Sequence, residues 1–225
     1  DLQQAVVASE YAVISGGQVM GLGILELASI KYLLRASKTT LQKYNTSTSA
    51  WDTINATAFG GGDEDFFFFA NVTESQIIAI TNGVDRIRKW TGSGNNALLL
   101  GDPPYAKYMT YLTPYLLIAH LIEAGNTRPW KIAWCDTNAP ETWTGGNSGS
   151  ALITSEPSEI QNIMKLNEFA AAYKENSLYL GRKVETSDIF IFDCIKTGIG
   201  LASPRALVDV EGKHYFMGLN DFYVF

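Results

Sequence analysis

Phe169-Ala170-Ala171-Ala172-Tyr173, then Lys174-Glu175-Asn176, then Ser177-Leu178-Tyr179-Leu180, is an apolar run, a short polar turn and a second apolar run. Two strand-length runs joined by so short a polar break read as a β-hairpin. The same pattern occurs four more times. Tyr32 to Ala36 turns at Ser37-Lys38-Thr39 into Leu41 to Tyr44, and Ile77 to Ile80 turns at Asn82-Gly83 into Val84 to Trp90. Tyr115 to Leu121 turns around Gly125-Asn126 into Trp130 to Trp134, and Ala206 to Val210 turns at Glu211-Gly212-Lys213 into His214 to Met217. The turns begin near 37, 82, 123, 174 and 211, in steps of 45, 41, 51 and 37. A repeat of roughly 40 to 45 residues, with several short strands in each, is the signature of propeller blades.

Local chemistry supports the strands. Asn82-Gly83 predicts a two-residue hairpin turn, because both central residues of such a turn must accept positive φ. Two polar turns close on a tryptophan, Asn45 to Trp51 and Asp136 to Trp143, where the indole can pack between neighbouring sheets. Gly21 to Leu34 and Glu159 to Tyr173 compete with this reading. The spacing of Ile160, Ile163, Met164 and Phe169 fits an amphipathic helix as well as a strand. The expectation is a mainly β chain, a β-propeller of about five blade-like repeats over 32–225, with room for one or two short helices. Residues 1–31 form an N-terminal segment of undecided structure. The first residue is Asp1 and the last run, Phe222-Tyr223-Val224-Phe225, has no polar tail, so the sequence reads as a piece of something longer.

Composition excludes several classes. Of 225 residues, 46% are apolar and 18% charged, enough for a packed core and too apolar for disorder. The longest apolar stretch, Val13 to Leu25, is broken by Gly16, Gly17, Gly21 and Gly23, which excludes a spanning helix. With 17 Lys+Arg against 23 Asp+Glu the net charge is −6, so phosphate backbones are repelled rather than wrapped. Cys135 and Cys194 are too few for a disulfide framework or a zinc cage and read as free thiols.

No motif carries chemistry once its context is weighed. Gly92-Ser93-Gly94-Asn95-Asn96-Ala97 matches a dinucleotide fingerprint, but Gly101-Asp102-Pro103-Pro104 leaves no length for the required helix, so it reads as a hairpin loop. Gly146-Asn147-Ser148-Gly149-Ser150 has the look of a nucleophile loop. A base would have to be His120, inside an apolar run, or His214, and neither has a convincing acidic partner. Asp63-Glu64-Asp65 follows three glycines and precedes Phe66 to Phe69; its spacing matches no cation loop, and a solvated turn before a buried strand explains it. Asn45, Asn55 and Asn71 stand in N-glycosylation triplets that matter only in a secretory context. The carboxylates Asp136, Glu141, Asp193 and Asp209 fall in different repeats, and a glycosidase would need two of them to converge.

One longer segment is more specific. Arg128 to Trp143, with Pro129, Trp134, Asp136, Pro140, Glu141 and Trp143 at fixed spacing, resembles a blade motif of the β-propeller tail and neck proteins of tailed bacteriophages. Ala172 to Tyr179, Gly198 to Ala206 and Tyr215 to Phe225 resemble the blades that follow, and the likeness is looser over 32–100. The resemblance implies a non-enzymatic virion component of the packaged-DNA stabilisation, hub or nozzle type, with no catalytic, cofactor-binding or metal-binding residues. It further implies self-association into a ring, portal or adaptor neighbours, and double-stranded DNA passing through without specific binding. Assembly would be in the host cytoplasm, with no membrane contact. The alternative is a propeller glycosidase or lyase, or a carbohydrate-binding propeller, acting on host surface polysaccharide.

Overall fold

A computed structural model describes residues 17–99, 101–185 and 188–225. The chain divides into two compact units, Asp1–Leu99 with two sheets and Leu100–Phe225 with three. All five sheets are antiparallel meanders whose strands neighbour one another in chain order. The fold is that of a five-bladed β-propeller, and no helix occurs among the described residues. The first sheet comprises β1 (Val19–Leu27), β2 (Ile30–Ser37), β3 (Leu41–Asn45) and β4 (Ala50–Thr53). The second comprises β5 (Phe68–Val72), β6 (Ile77–Thr81), β7 (Arg88–Trp90) and β8 (Ala97–Leu98). The third comprises β9 (Tyr105–Leu112), β10 (Tyr115–Glu123), β11 (Asn126–Trp134) and β12 (Gly149–Leu152). The fourth comprises β13 (Ile160–Leu166), β14 (Phe169–Lys174), β15 (Ser177–Lys183) and β16 (Phe190–Thr197). The fifth has three strands, β17 (Leu207–Val210), β18 (Lys213–Met217) and β19 (Phe222–Val224).

Each repeated hairpin of the sequence lies in its own sheet. In the first four sheets it is the second and third strands; in the fifth it is the first and second. That offset of one strand explains the short last step. Residues 19–31 belong to the first sheet, while residues 1–16 lie outside the described residues.

Both candidate helices are hairpins. Gly21 to Leu34 turns at Ala28 and Ser29, both with positive φ (46° and 67°), and Leu25 and Leu27 face inward while Leu22 and Ile24 face out. Glu159 to Tyr173 turns at Asn167 (φ 55°). The register shifts between Ile160 and Asn162, so one extra residue puts Ile160 and Ile163 on the same buried side. A β-bulge thus reproduces the three-residue spacing of a helix. The Asn82-Gly83 turn is longer than a two-residue hairpin, because β6 ends at Thr81 and β7 begins at Arg88. The Asn82 carboxamide accepts the amides of Val84 (3.1 Å) and Asp85 (2.9 Å), which lengthens the turn into a capped loop.

In the first unit Met20, Leu25, Leu34 and Leu41 of the first sheet meet Phe67, Ile78, Ile80 and Trp90 at the second. Gly21 permits the approach: a Cβ there would stand 2.7 Å from that of Phe67. Phe59 and Phe67 meet edge to face at 4.8 Å, and the Arg88 guanidinium lies 3.7 Å over the Phe59 ring. In the second unit Leu166, Ala171, Tyr173 and Leu178 of the fourth sheet pack on Leu201, in the connection after β16, and on Phe216 of the fifth sheet. β10 and β14 are buried along nearly their whole length, as strands packed on both faces must be.

Candidate functional site

Of the carboxylates singled out in the sequence, Asp136, Asp193, Asp209 and Asp63 engage local partners. Asp136, just past β11, accepts the backbone amides of Thr137 (2.7 Å) and Asn147 (2.8 Å) and so ties both ends of the 136–147 loop. Glu141 lies in that loop, where its carbonyl abuts Gly101. Asp193 pairs with Arg182 at 3.2 Å on the exposed surface of the fourth sheet. Asp209 approaches the His214 imidazole at 3.6 Å and accepts the Gly212 amide at 3.4 Å. Asp63 forms an exposed pair with Lys38 at 3.1 Å, as a solvated turn allows. Among the described residues no group of three His, Cys, Asp or Glu side chains is placed to hold a metal ion.

The nucleophile loop and the histidines are also structural. Ser148 Oγ donates to the Gly145 carbonyl at 2.6 Å, within its own turn. His120 is buried at a register shift in β10 with φ 56°, and its Nδ1 donates to the Ile160 carbonyl at 3.2 Å. His214 is fully buried: Nε2 donates to the Lys165 carbonyl and Nδ1 accepts the Tyr173 hydroxyl, both at 2.9 Å. Burial lowers the pKa of both imidazoles against the pull of their carbonyl partners and of Glu159 and Asp209, and Lys107 lowers that of His120 further. The hairpin loop at Gly92 to Asn96 receives the Trp90 indole N–H at the Gly94 carbonyl, 3.0 Å. Both thiols are free; Cys135 is buried, its sulfur accepts the Leu116 amide, and burial pushes its pKa up to about 11.

One polar centre escaped the sequence. Lys174, read there as a turn residue, is the last residue of β14 and has no solvent exposure. Its ammonium donates to the carbonyls of Ile153 (3.1 Å) and Glu156 and stands 3.5 Å from the Glu156 carboxylate. That carboxylate also accepts from the Ser158 amide, the Ser158 hydroxyl and Ser177. Burial would raise the Glu156 pKa, but these donors and Lys174 outweigh it and hold the group below the usual carboxylate range. Burial lowers the Lys174 pKa, with Glu156 opposing. The cluster pins the 153–158 connection to the fourth sheet. The only sequence sign was a lysine closing the run Ala170 to Tyr173.

The feature that does point outward is the far face of the fifth sheet. Cross-strand register aligns Val208, Tyr215 and Val224 in one row, and Met217 with Phe222 in the next. Together with Val210 these six side chains share one face, each at least 40% exposed and Phe222 77% exposed. Leu207, His214, Phe216 and Tyr223 point the other way, into the core. A hollow of 440 Å³ opens at this sheet, lined by Val208, Tyr215, Met217 and Phe222 of the outward face together with Leu207, Phe216 and Tyr223 of the other. Apolar side chains grouped in this way mark an interaction surface. The first sheet has a weaker counterpart in Leu22 and Ile24, on the face where Arg35 stacks on Trp51 at 4.1 Å.

Comparison with known proteins places the fold and nothing finer. No protein-family model matches the chain, and no curated protein does. Among solved structures, BBS1N, determined in complex with ARL6DN, is similar with a TM-score of 0.58 at 8% identity. A chain of polycomb repressive complex 2 is similar with a TM-score of 0.59 at 11% identity. A functionally unknown protein from Desulfotomaculum acetoxidans is similar with a TM-score of 0.53 at 13% identity. Each likeness covers 95% of this chain but only 66%, 56% and 71%, respectively, of the other. Such identities establish the shared fold alone.

Proposed function

We propose that this chain is a non-enzymatic structural component that works by assembling, with the outward face of β17–β19 as its docking surface and further copies of itself as the occupant. The carrying observation is that six-residue apolar face on an otherwise two-sided architecture. The specific form we propose is a ring-forming tail or neck component of a tailed phage virion, beside portal or adaptor proteins, through which DNA is retained and ejected. Three things support it. The stretch from Arg128 to Trp143 that resembles phage blades forms most of β11 and its Asp136-tied loop. Asp136, Asp193 and Asp209 are engaged in local hydrogen bonds and ion pairs. The net charge of −6 keeps DNA moving rather than adhering.

Light scattering on the 225-residue chain tests the assembly. Full burial of a Val, Met or Phe side chain contributes about 1.5–3 kcal/mol, against an association cost of about 4–15 kcal/mol. Charging two of the six residues is therefore enough to dissociate a ring. The wild type is expected at a multiple of the chain mass, and Met217→Glu/Phe222→Glu at the single-chain mass with an unchanged far-UV spectrum. A wild type that stays monomeric at high concentration overturns the reading. So does DNA affinity in the micromolar range that persists at high salt.

A further inference from the structure

A ring of the kind proposed above, the reading on which this inference rests, needs two different surfaces on each copy. A patch that docks on its own counterpart gives a two-fold dimer and stops there, whereas a ring closes through unlike patches that meet head to tail. The first sheet carries the second patch. Register sets Leu22, Ile24 and Glu26 of β1 across from Arg35, Leu33 and Lys31 of β2, and Tyr44 and Trp51 follow on the same face. Leu22 and Ile24 are half exposed, and Tyr44 and Trp51 meet edge to face at 5.3 Å. The Arg35 guanidinium, stacked on Trp51, donates through Nε to Gln42 Oε1 at 2.9 Å, so the floor of this face is fixed.

Within each unit, neighbouring sheets pack first strand along first strand, in the same direction. Gly21 and Gly23 of β1 lie against Phe67 and Phe69 at the start of β5. Asn162 and Asn167, at the two ends of β13, lie against Pro204 and Gly212, which flank β17. In the first pair the earlier sheet presents its Leu25 and Leu34 side to the later one, and in the second pair the fifth sheet receives the fourth on its Leu207 and Phe216 side. The first sheet is thus left with a receiving face open, and the fifth with a presenting face open.

We propose that the fifth sheet of one copy docks on the first sheet of the next copy in this same mode, β17 along β1 and β18 along β2. Both faces then run in the same sense. On the fifth sheet the rows pass from Met217 through Val208 and Tyr215 to Val210 and Lys213, and on the first from Leu22 through Ile24 to Glu26. Apolar rows meet apolar rows, and Lys213 comes to the end that carries Glu26, the one carboxylate on either face. Both side chains are exposed, and neither has an ion-pair partner among the described residues. A fifth sheet docked on another fifth sheet offers Lys213 no carboxylate and yields only a dimer.

Light scattering on two full-length variants, alone and mixed, tests the pairing. Met217→Glu/Phe222→Glu spoils the fifth-sheet face, and Leu22→Glu/Ile24→Glu spoils the first-sheet face. Each alone is expected at the chain mass. Mixed in equal amounts they should reach twice the chain mass and no more, because one intact fifth face meets one intact first face. Glu26→Lys and Lys213→Glu should each weaken assembly of the otherwise wild-type chain about two- to fivefold, as loss of a rim ion pair does, and the double variant should recover it. Melting curves confirm that each variant is folded. If Leu22→Glu/Ile24→Glu assembles like the wild type while the fifth-sheet variant is monomeric, the pairing is overturned and the fifth sheet stands as the docking surface. A mixture that stays at the chain mass overturns it as well, and so does a wild type that stops at two copies. Should the first-sheet variant unfold, failure of the double charge variant to recover assembly overturns the pairing. A monomeric wild type overturns both readings together.

Discussion

Replacing Lys174 by Met probes whether the buried cluster holds the second unit together. The substitution keeps the volume and the apolar stem and removes only the ammonium. It leaves the carbonyls of Ile153 and Glu156 without their donor, each worth about 1–3 kcal/mol when buried. It also leaves the Glu156 carboxylate with Ser158 and Ser177 but no cation. Relief of the desolvation that burial imposes on Lys174 offsets part of this, so a net loss of about 2–4 kcal/mol is expected, near the range for breaking a buried pair. In a chain of this length that lowers Tm by roughly 4–16 °C. Glu156→Gln should cost less, since it keeps Ser158 and Ser177 in reach. The double variant should show a coupling of about 0.5–3 kcal/mol. A Tm within 2 °C of the wild type for Lys174→Met, or strictly additive losses, would refute the claim that the cluster is a latch.

The pH dependence follows with its sign. Glu156 has a depressed folded-state pKa, so its contribution is present above the unfolded value of about 4.3 and is lost as pH falls through the folded value. His120 and His214 are also depressed by burial, and for a base this means the unfolded chain takes the proton first. Stability is complete above about 6.5 and declines as pH falls below it. Melting curves should therefore be flat near neutrality, drop first below about pH 6.5 from the histidines, and drop again below about pH 4.5 from Glu156. Lys174→Met should weaken the second drop while leaving the first in place.

Two further perturbations read separate parts of the structure. Gly101→Ala puts a methyl 1.8 Å from the Glu141 carbonyl at a residue with φ 75°, so it should either unfold the loop or lower Tm by several degrees. An unchanged Tm would show that the 136–147 loop does not press on Gly101. Thiol titration under native conditions should label Cys194 at once and Cys135 only on unfolding, since one is exposed and the other buried with a raised pKa. Equal labelling rates would mean that the end of β11 opens freely.

The hairpins were legible because their signal is local: an apolar run, a polar turn and a second run need no knowledge of the rest of the chain. What misled was geometry that only neighbours impose. The bulge at Ile160–Asn162 shifts the alternation by one and so imitates a helix. Asn82 caps amides that a two-residue turn would not offer. Lys174 sits within a strand because carbonyls from a connection about 20 residues earlier receive its ammonium, a partner that no periodicity reports.

The outward face of the fifth sheet is the opposite case, where sequence and structure disagree in a useful way. Leu207-Val208 and Tyr215-Phe216-Met217 are continuous apolar runs, the pattern of strands covered on both faces, not of strands with one face in water. β10 and β14 carry the same kind of run and are buried on both sides. In β17–β19 only the side of Phe216 and Tyr223 is covered, while Val208, Tyr215, Met217, Phe222 and Val224 stand open. Strands of this composition left half covered present an apolar face of the kind that marks an interaction surface. A face of this kind is what the proposed assembly would cover, so the variants at Met217 and Phe222 are the ones that test that proposal.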